Sequence, residues 1–369
     1  MKILLVGNYI YDGSVSMQAF SSVIYNELKK HGAHVKIIAP RPLLGKLKAS
    51  SYGVGKWLGY IDRYVIFPFQ LGREVKKADI IHFCDQGSAL YISPKWKIAT
   101  IVTCHDVLAI RGAMGEVPDC AASRFGEILQ NKIRNGLKIA TKIACVSEAT
   151  KEDAERILDR KQGILLLRNG LNYDFTVLPE AEINRRLAGV IDDDLRYILH
   201  VGSNQPRKNR KTVLKVMAEV KQSTSLHLII AGYTLSDELM AMAKSLKIED
   251  RLVQIFRPPV QILEALYNRA DALIFPSRYE GFGWPLIEAQ ACGCPVIASN
   301  IKPFYEVLNN TAILCAHDDF ESMARNLREI YLDHAIKKKL VQAGLKNVED
   351  HYSKSTMIRR YIRLYEENL

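Results

Sequence analysis

Residues 271–298 hold two short apolar runs, Asp271-Ala-Leu-Ile-Phe275 and Pro295-Val-Ile-Ala298, around a glycine-bearing turn and a segment of helical length. Runs this short and this apolar read as strands buried on both faces. Pro285 suits the first position of a helix, where its missing N–H is not needed, and Gly293 suits the stop. Strand, turn, helix, strand is the repeating unit of a parallel α/β sheet. The turn Glu280-Gly281-Phe282-Gly283 delivers backbone N–H groups to a helix N-terminus. Such an end holds phosphate without needing a cation.

Two carboxylates frame this turn. Glu280 lies in it and Glu288 lies inside the helix. A carboxylate accepts hydrogen bonds from neighbouring hydroxyls, so the pair is suited to gripping the sugar and the ribose of a nucleotide sugar. The plainer alternative is a structural turn, with Glu280 as a cap and Glu288 in solvent.

The wider string decides between them. Glu280 and Glu288 are embedded in Tyr-Glu-Gly-Phe-Gly-x-Pro-x-x-Glu-Ala-x-Ala-Cys-Gly-x-Pro-Val. This resembles the Glu-x7-Glu signature of glycosyltransferase family four, retaining enzymes of the GT-B fold. The resemblance implies an α/β protein of two Rossmann-like doubly wound parallel-sheet domains facing a central cleft. Residues 1–172 would form the acceptor domain, with a closing helix near 354–369 crossing back to it. Residues 195–350 would bind the donor, and 173–195 would be a linker with an irregular helix.

The chain has 369 residues, 48% hydrophobic and 25% charged, the profile of a globular protein with room for two domains. No apolar run approaches the roughly 20 residues that span a bilayer. Met1-Lys-Ile-Leu-Leu-Val-Gly7 is too short in its apolar part for a signal peptide, so the expected location is cytoplasmic. The seven cysteines lack paired Cys-x-x-Cys spacing, which indicates neither zinc nor a disulfide framework. Cys104, Cys145 and Cys315 read as small buried hydrophobes. Net charge is +11, and residues 1–100 alone hold 14 Lys/Arg against 6 Asp/Glu. No nucleic-acid-binding motif accompanies that charge. Between residues 40 and 77, Lys46, Lys48, Lys56 and Arg63 interleave with Tyr52, Trp57, Tyr60, Tyr64, Phe67 and Phe69. This stretch is expected either to touch the inner face of the plasma membrane and admit a lipid-linked acceptor, or to pack as an ordinary helix with solvated lysines.

Taken in order, Lys2–Val6, Val35–Ala39, Ile80–Phe83, Ile98–Thr103, Lys142–Ser147 and Ile164–Gly170 read as strands of the first domain. Met17–Lys30 reads as a helix between the first two. Family members carry a Gly-Gly pair in the first loop, where backbone approaches the diphosphate or acceptor. Here that loop has Gly13 alone among Asp12-Gly13-Ser14-Val15-Ser16. A strand ends in Cys104-His105-Asp106, where a doubly wound sheet places ligand groups. His105 resembles the family's histidine near the donor sugar, while a structural histidine held by Asp106 is the competing reading. The triplet Asp192-Asp-Asp194 reads as a solvated turn.

In the second half, Tyr197–Gly202 reads as a strand followed by Gln205-Pro-Arg207-Lys208-Asn209. Two cations between a strand and a helix oppose the helix dipole, and they fit a bound pyrophosphate. They resemble the family's basic pair for the departing diphosphate. Further strands are expected at Leu226–Gly232 and Leu252–Phe256. The loop after the second begins at Arg257, where the family holds the base.

The resemblance therefore implies His105 and Glu280 as catalytic groups. Gly13, Arg207, Lys208, Arg257, Glu280, Gly281, Phe282, Gly283, Leu286 and Glu288 would bind the donor. No metal or other cofactor is implied beyond the nucleotide sugar. The function expected is transfer of a hexose, with UDP-glucose the favoured donor, to a hydroxyl of an envelope or exopolysaccharide acceptor. GDP-mannose-dependent mannosyl transfer and a GT-B epimerase or phosphorylase are the alternatives. A catalytically silent sugar-nucleotide binder would not need the full set of Glu280, Glu288, Arg207 and Lys208.

Overall fold

The computed structural model describes residues 1–13, 15–44 and 58–369. Its first elements are β1 (Lys2–Val6), α1 (Val15–Lys30), β2 (His34–Ile38), α2 (Phe67–Val75), β3 (Ile80–Phe83) and β4 (Ala99–Cys104). There follow α3 (Leu108–Ala113), α4 (Arg124–Ile139), β5 (Lys142–Cys145), α5 (Glu148–Leu158), β6 (Ile164–Leu166) and α6 (Glu180–Leu187). Next come β7 (Tyr197–Gly202), α7 (Arg210–Val220), β8 (His227–Gly232), α8 (Asp237–Ser245), β9 (Leu252–Phe256) and α9 (Val260–Arg269). The chain continues with β10 (Ala272–Phe275), α10 (Trp284–Ala291), β11 (Val296–Ser299), α11 (Lys302–Leu308) and β12 (Ile313–Cys315). Three helices end it, α12 (Phe320–Leu332), α13 (His334–His351) and α14 (Lys354–Glu366).

These elements form two units, residues 1–172 with 354–369, and residues 173–353. Each is built on a six-stranded sheet with every described pairing parallel. The orders are β2-β1-β3-β4-β5-β6 and β12-β11-β10-β7-β8-β9. Helices pack against strands that are buried along their whole length: β3 (Ile-Ile-His-Phe) and β10 (Ala-Leu-Ile-Phe) are buried at every residue. This is the pattern of parallel sheets covered on both faces. In both orders the first strand of the unit has its successors on one side and the rest of the sheet on the other. The reversal lies between β1 and β3 in the first unit and between β7 and β10 in the second. Ligands of such sheets bind outside the carboxyl ends of those strands.

The first unit closes with α14. Along α14, Met357, Ile358, Tyr361, Leu364 and Tyr365 are buried. The Tyr365 hydroxyl lies 2.7 Å from His82 Nδ1 in β3, and His82 Nε2 lies 2.8 Å from Thr103 Oγ1 in β4. The Tyr361 hydroxyl lies 2.6 Å from the same Thr103 oxygen. A buried polar chain of this kind fixes one docking of α14, because any other leaves a buried group unpaired.

Three expectations need correction. Residues 173–195 are not a free linker. Thr176 N–H donates to Glu264 Oε1 (3.0 Å), Leu178 N–H to Asn268 Oδ1 (2.8 Å), and Arg186 pairs with Glu264 at 2.6 Å, so α9 holds the segment in the second unit. The strand expected to run to Gly170 stops at Leu166, because the chain turns away toward Met357 of α14, whose sulfur accepts from Gly170 N–H. The edge strand β12 was not foreseen, being three residues long. Lys46, Lys48, Tyr52, Lys56 and Trp57 lie outside the described residues. No helix among the described residues is long and apolar enough to cross a membrane.

Candidate active site

In the second unit, the segments leaving β7 and β10 are stitched together by backbone. Arg278 N–H donates to Arg207 O (2.8 Å). Asn209, held at φ 53°, donates through Nδ2 to Pro276 O (3.1 Å) and His317 O (2.6 Å). Asparagine tolerates that left-handed backbone better than most residues. The turn Pro206–Lys208 is thereby set beside Ser277–Gly281, at the reversal of strand order.

The result is a cluster of charge. Lys208 Nζ lies 2.5 Å from Glu280 Oε1 and an Arg207 terminal nitrogen lies 2.8 Å from Oε2. Ser277 Oγ donates to Glu280 Oε1 (3.1 Å) and Arg207 donates to Tyr279 O (3.0 Å). The Glu280 side chain is 9% exposed, Lys208 13% and Arg207 18%, so the ions are shielded from solvent but reachable. Burial pushes the Glu280 carboxyl up, yet Lys208 and Arg207 outweigh it and hold the group below its usual range. Glu280 is an anion flanked by two cations, and the cluster carries a net positive charge.

The glycine turn behaves differently in backbone and side chain. Gly283 has φ 103°, and a Cβ there would lie 2.9 Å from both Leu286 and Phe304, so only glycine fits. The N–H groups of Phe282 and Gly283 have no protein partner among the described residues. The side chains of Phe282 and Leu286 face the core, 3% and 0% exposed, with Phe282 packed on Trp284 and Tyr352. Phe282 can therefore meet a donor only through its backbone N–H. Leu286 N–H is already given to Gly283 O, at 3.0 Å.

Glu288 sits on α10, 8% exposed. Its Oε2 accepts from the Tyr267 hydroxyl at 3.0 Å, and its other oxygen has no partner among the described residues. Burial pushes this carboxyl up to about 7, against a smaller lowering by the Tyr267 bond. Glu288 is thus not a solvated surface carboxylate. Arg257, also at positive φ (44°), gives its N–H to Gly232 O (2.7 Å) and lays its guanidinium over the Tyr233 ring, 5.9 Å from the centroid. Tyr233 and the neighbouring Phe256 are exposed, 42% and 59%.

Two supporting residues escaped the reading of the sequence. Arg210, 3% exposed, donates to Gly202 O (2.8 Å), Tyr233 O (2.8 Å) and Asn204 Oδ1 (2.5 Å). It has no carboxylate partner among the described residues, and burial lowers it to about 10. It ties the segments leaving β7 and β8 together and adds positive potential behind Lys208. The available signal was a third cation at a helix start, against the dipole. Tyr267 left no signal, since a tyrosine on a helix face is usually core.

In the first unit, His105 follows β4 beside the β1–β3 reversal. Its Nε2 lies 2.9 Å from Cys84 O, its N–H donates to Gln86 Oε1 (3.0 Å), and its ring meets Phe20 of α1 edge-on at 4.8 Å. The competing reading paired His105 with Asp106. Asp106 Oδ1 instead caps Leu108 N–H (2.9 Å). Gly13 lies in the loop before α1 at φ 68°.

Burial, helped by the neighbouring His105, pushes His82 down to about 3. His105 falls to about 4 and His200 to about 3, burial again leading. A histidine kept neutral by the fold contributes its full stability above its unfolded value near 6.5, and loses it as pH falls toward the folded value. At pH 5 the loss is roughly 2 kcal/mol for each of the three. Glu288 offsets part of this, because its raised carboxyl favours the fold as pH falls below 7. The melting temperature is expected to drop by several degrees from pH 7.5 to 5. A flat melting profile would mean that these rings reach solvent in the native state.

Two family models match the chain, Glycosyltransferase Family 4 over residues 23–175 and Glycosyl transferases group 1 over residues 184–347. The chain belongs to glycosyltransferase family 4. Among its relatives, the O-antigen chain mannosyltransferase RfbU of Salmonella typhimurium is 34% identical over 36% of this family-4 chain and 38% of its own length. An uncharacterised glycosyltransferase of Methanocaldococcus jannaschii is 25% identical over 61% of the chain and 59% of its own. The chain spans between about two-fifths and three-fifths of these curated relatives. Sucrose-phosphate synthase from Thermosynechococcus elongatus has the same fold, with TM-score 0.78 at 19% identity over 100% of this chain and 98% of that one. This family-4 chain is a GT-B protein of two parallel α/β units.

Proposed function

We propose that the chain transfers a hexose from a nucleoside diphosphate sugar to an acceptor hydroxyl, with retention at the anomeric carbon and without a metal ion. The observation that carries this is Glu280 held between Lys208 and Arg207 at the β7–β10 reversal. In the reaction the bond from C1 to the diphosphate oxygen breaks and a bond from C1 to the acceptor oxygen forms on the same face. The acceptor proton passes to the departing diphosphate. Lys208, Arg207 and the N–H groups of Phe282 and Gly283 are the preorganised partners of the negative charge that develops there. Glu280 supports positive charge on the sugar. His105 is proposed as a sugar contact from its strand-end position. Glu288 would take ribose hydroxyls on its unpartnered oxygen, and Arg257 with Tyr233 would flank the base.

The donor reading shifts from the expected UDP-glucose to GDP-mannose. UDP-glucose rested on how common such donors are, whereas two relatives at 34% and 28% identity are named O-antigen chain mannosyltransferases. The same names support a saccharide of the cell envelope as acceptor.

Calorimetry against UDP, GDP, UDP-glucose and GDP-mannose in EDTA tests the reading. Selective binding of the guanine nucleotides is expected. Selection of uracil would return the donor to UDP-glucose, and a requirement for added divalent metal would overturn metal independence. Binding of none would sink the transferase reading. Affinity for GDP-mannose should rise about tenfold from pH 6 to 8, because ribose hydroxyls bind the ionised form of Glu288 and that form is scarce below pH 7. Glu288→Gln should flatten that profile, and an unchanged slope would remove Glu288 from the ribose.

A further inference from the structure

The charge of the chain is divided by unit. Residues 1–172 and 354–369 hold 29 Lys/Arg against 17 Asp/Glu, while residues 173–353 hold 22 against 23. The whole excess sits on the unit without the basic diphosphate cluster, so donor binding does not account for it.

The same unit carries an apolar face in contact with water. A π-helical turn, Asp62–Ile66, runs into α2. Ile61, Val65 and Phe69 recur there at four-residue spacing and are 39%, 52% and 74% exposed. Phe67, Leu71 and Val75 are the residues that α2 gives to the core. The stripe is therefore a second apolar side, which packing of the helix does not require. It continues onto α4. Tyr60 stacks on Phe125, with centroids 5.5 Å apart, and Phe125 and Ile128 are 45% and 56% exposed. Apolar side chains scattered singly need no explanation, but a contiguous set across two helices marks a contact surface.

Cations rim this face. Arg73 extends the stripe on α2, Lys76 follows it, and Arg124 and Lys132 flank Phe125 and Ile128 on α4. All four are exposed, and none pairs with a carboxylate among the described residues. The carboxylates of these segments are mostly withdrawn. Asp62 is 1% exposed and accepts from Leu44 N–H, and Glu74 is taken by Lys36 and Lys77. Glu127 alone is exposed beside the apolar residues.

We propose that this face docks on an anionic lipid surface, with Ile61, Val65, Phe69, Phe125 and Ile128 entering the headgroup boundary and Arg73, Lys76, Arg124 and Lys132 meeting lipid phosphates. An apolar strip rimmed by unpaired cations fits that boundary, where each cation adds to the attraction. A purely protein partner would not need an excess spread over the whole unit. The inference goes beyond transfer chemistry and does not depend on the donor.

Flotation of the full chain with vesicles tests it, using phosphatidylcholine alone and phosphatidylcholine with roughly a third phosphatidylglycerol. The native chain should bind the anionic vesicles at least tenfold more tightly, and about 0.5 M salt should release it. Phe69→Ser with Ile128→Ser should weaken that binding about tenfold. Arg73→Ser with Lys132→Ser should abolish most of the preference for anionic lipid. Nucleotide calorimetry on both variants should be unchanged, which shows that they fold. Equal binding to both vesicle types, binding to neither, or full binding by the serine variants would overturn the proposal. So would self-association in the ultracentrifuge that Phe69→Ser with Ile128→Ser abolishes, since the face would then join copies of this chain. Vesicle binding without nucleotide binding would count against the transferase reading and leave this one standing.

Discussion

Glu280→Gln is expected to bind the nucleotide sugar at least as well as the native chain and to transfer the sugar at least a hundredfold more slowly. In the free protein the Glu280 carboxylate occupies both cations, Lys208 at 2.5 Å and Arg207 at 2.8 Å. A diphosphate must share those partners with it. Glutamine keeps the shape and can still accept from Ser277, but it releases the cations from a competing anion. Affinity for the diphosphate is then maintained or raised. What disappears is a fixed negative charge beside a sugar that becomes positive during transfer. Removing one such preorganised group costs about a hundred- to a thousandfold in turnover. Single-turnover transfer and calorimetry on the same preparation separate the two effects. A variant that turns over normally but binds poorly would reassign Glu280 to holding the loop.

Lys208→Met should do the opposite and lose about a hundredfold in affinity for the nucleoside diphosphate. The ammonium is 13% exposed, so its charge is poorly screened, and it sits over the Phe275 ring at 5.0 Å as well as on Glu280. Loss of a shielded charge-assisted contact of this kind costs about 2–5 kcal/mol in binding. A second consequence follows from Glu280. With Lys208 gone, burial of the carboxyl is opposed by Arg207 alone, and the group should pick up a proton at a higher pH. Adding Glu280→Gln to Lys208→Met should therefore restore part of the thermal stability that Lys208→Met removes. Strict additivity of the two changes would mean that the ion pair is not a coupled unit.

The strands were legible because a parallel sheet covered on both faces demands unbroken apolar runs, and Ile80–Phe83, Tyr197–Gly202 and Leu252–Phe256 have the bounds that their residues announce. Arg207 and Lys208 read as a pair because two cations at a helix start fit a pyrophosphate, but their pairing with Glu280 was not legible. What stayed hidden depends on distant partners. His82 reads as an anomaly in an apolar strand until Tyr365, 283 residues later, supplies its hydroxyl. The motif marked Glu288 as a donor contact, but its burial and the bond from Tyr267 on another helix could not be read from its own segment. Phe282 shares the turn with Glu280 and Leu286 opens α10 just after it, but the side chains of both go to the core. The segment 173–195 lacked periodicity, and it is ordered by the side chains of Glu264 and Asn268 on another helix.

The clasp of α14 on β3 and β4 bears on how the polypeptide is made. Thr103 and His82 leave the ribosome well before their partners Tyr361 and Tyr365, which follow the whole of residues 173–353. Domains generally fold as units in order of synthesis. Here the unit built on residues 1–172 is completed only after the whole of residues 173–353 has been produced. Until then its sheet carries an uncovered apolar groove with two unpaired buried polar groups. The interval of greatest exposure to chaperones and proteases would therefore fall on the unit that holds β1 to β6, and damage to α14 would be felt in β3 and β4.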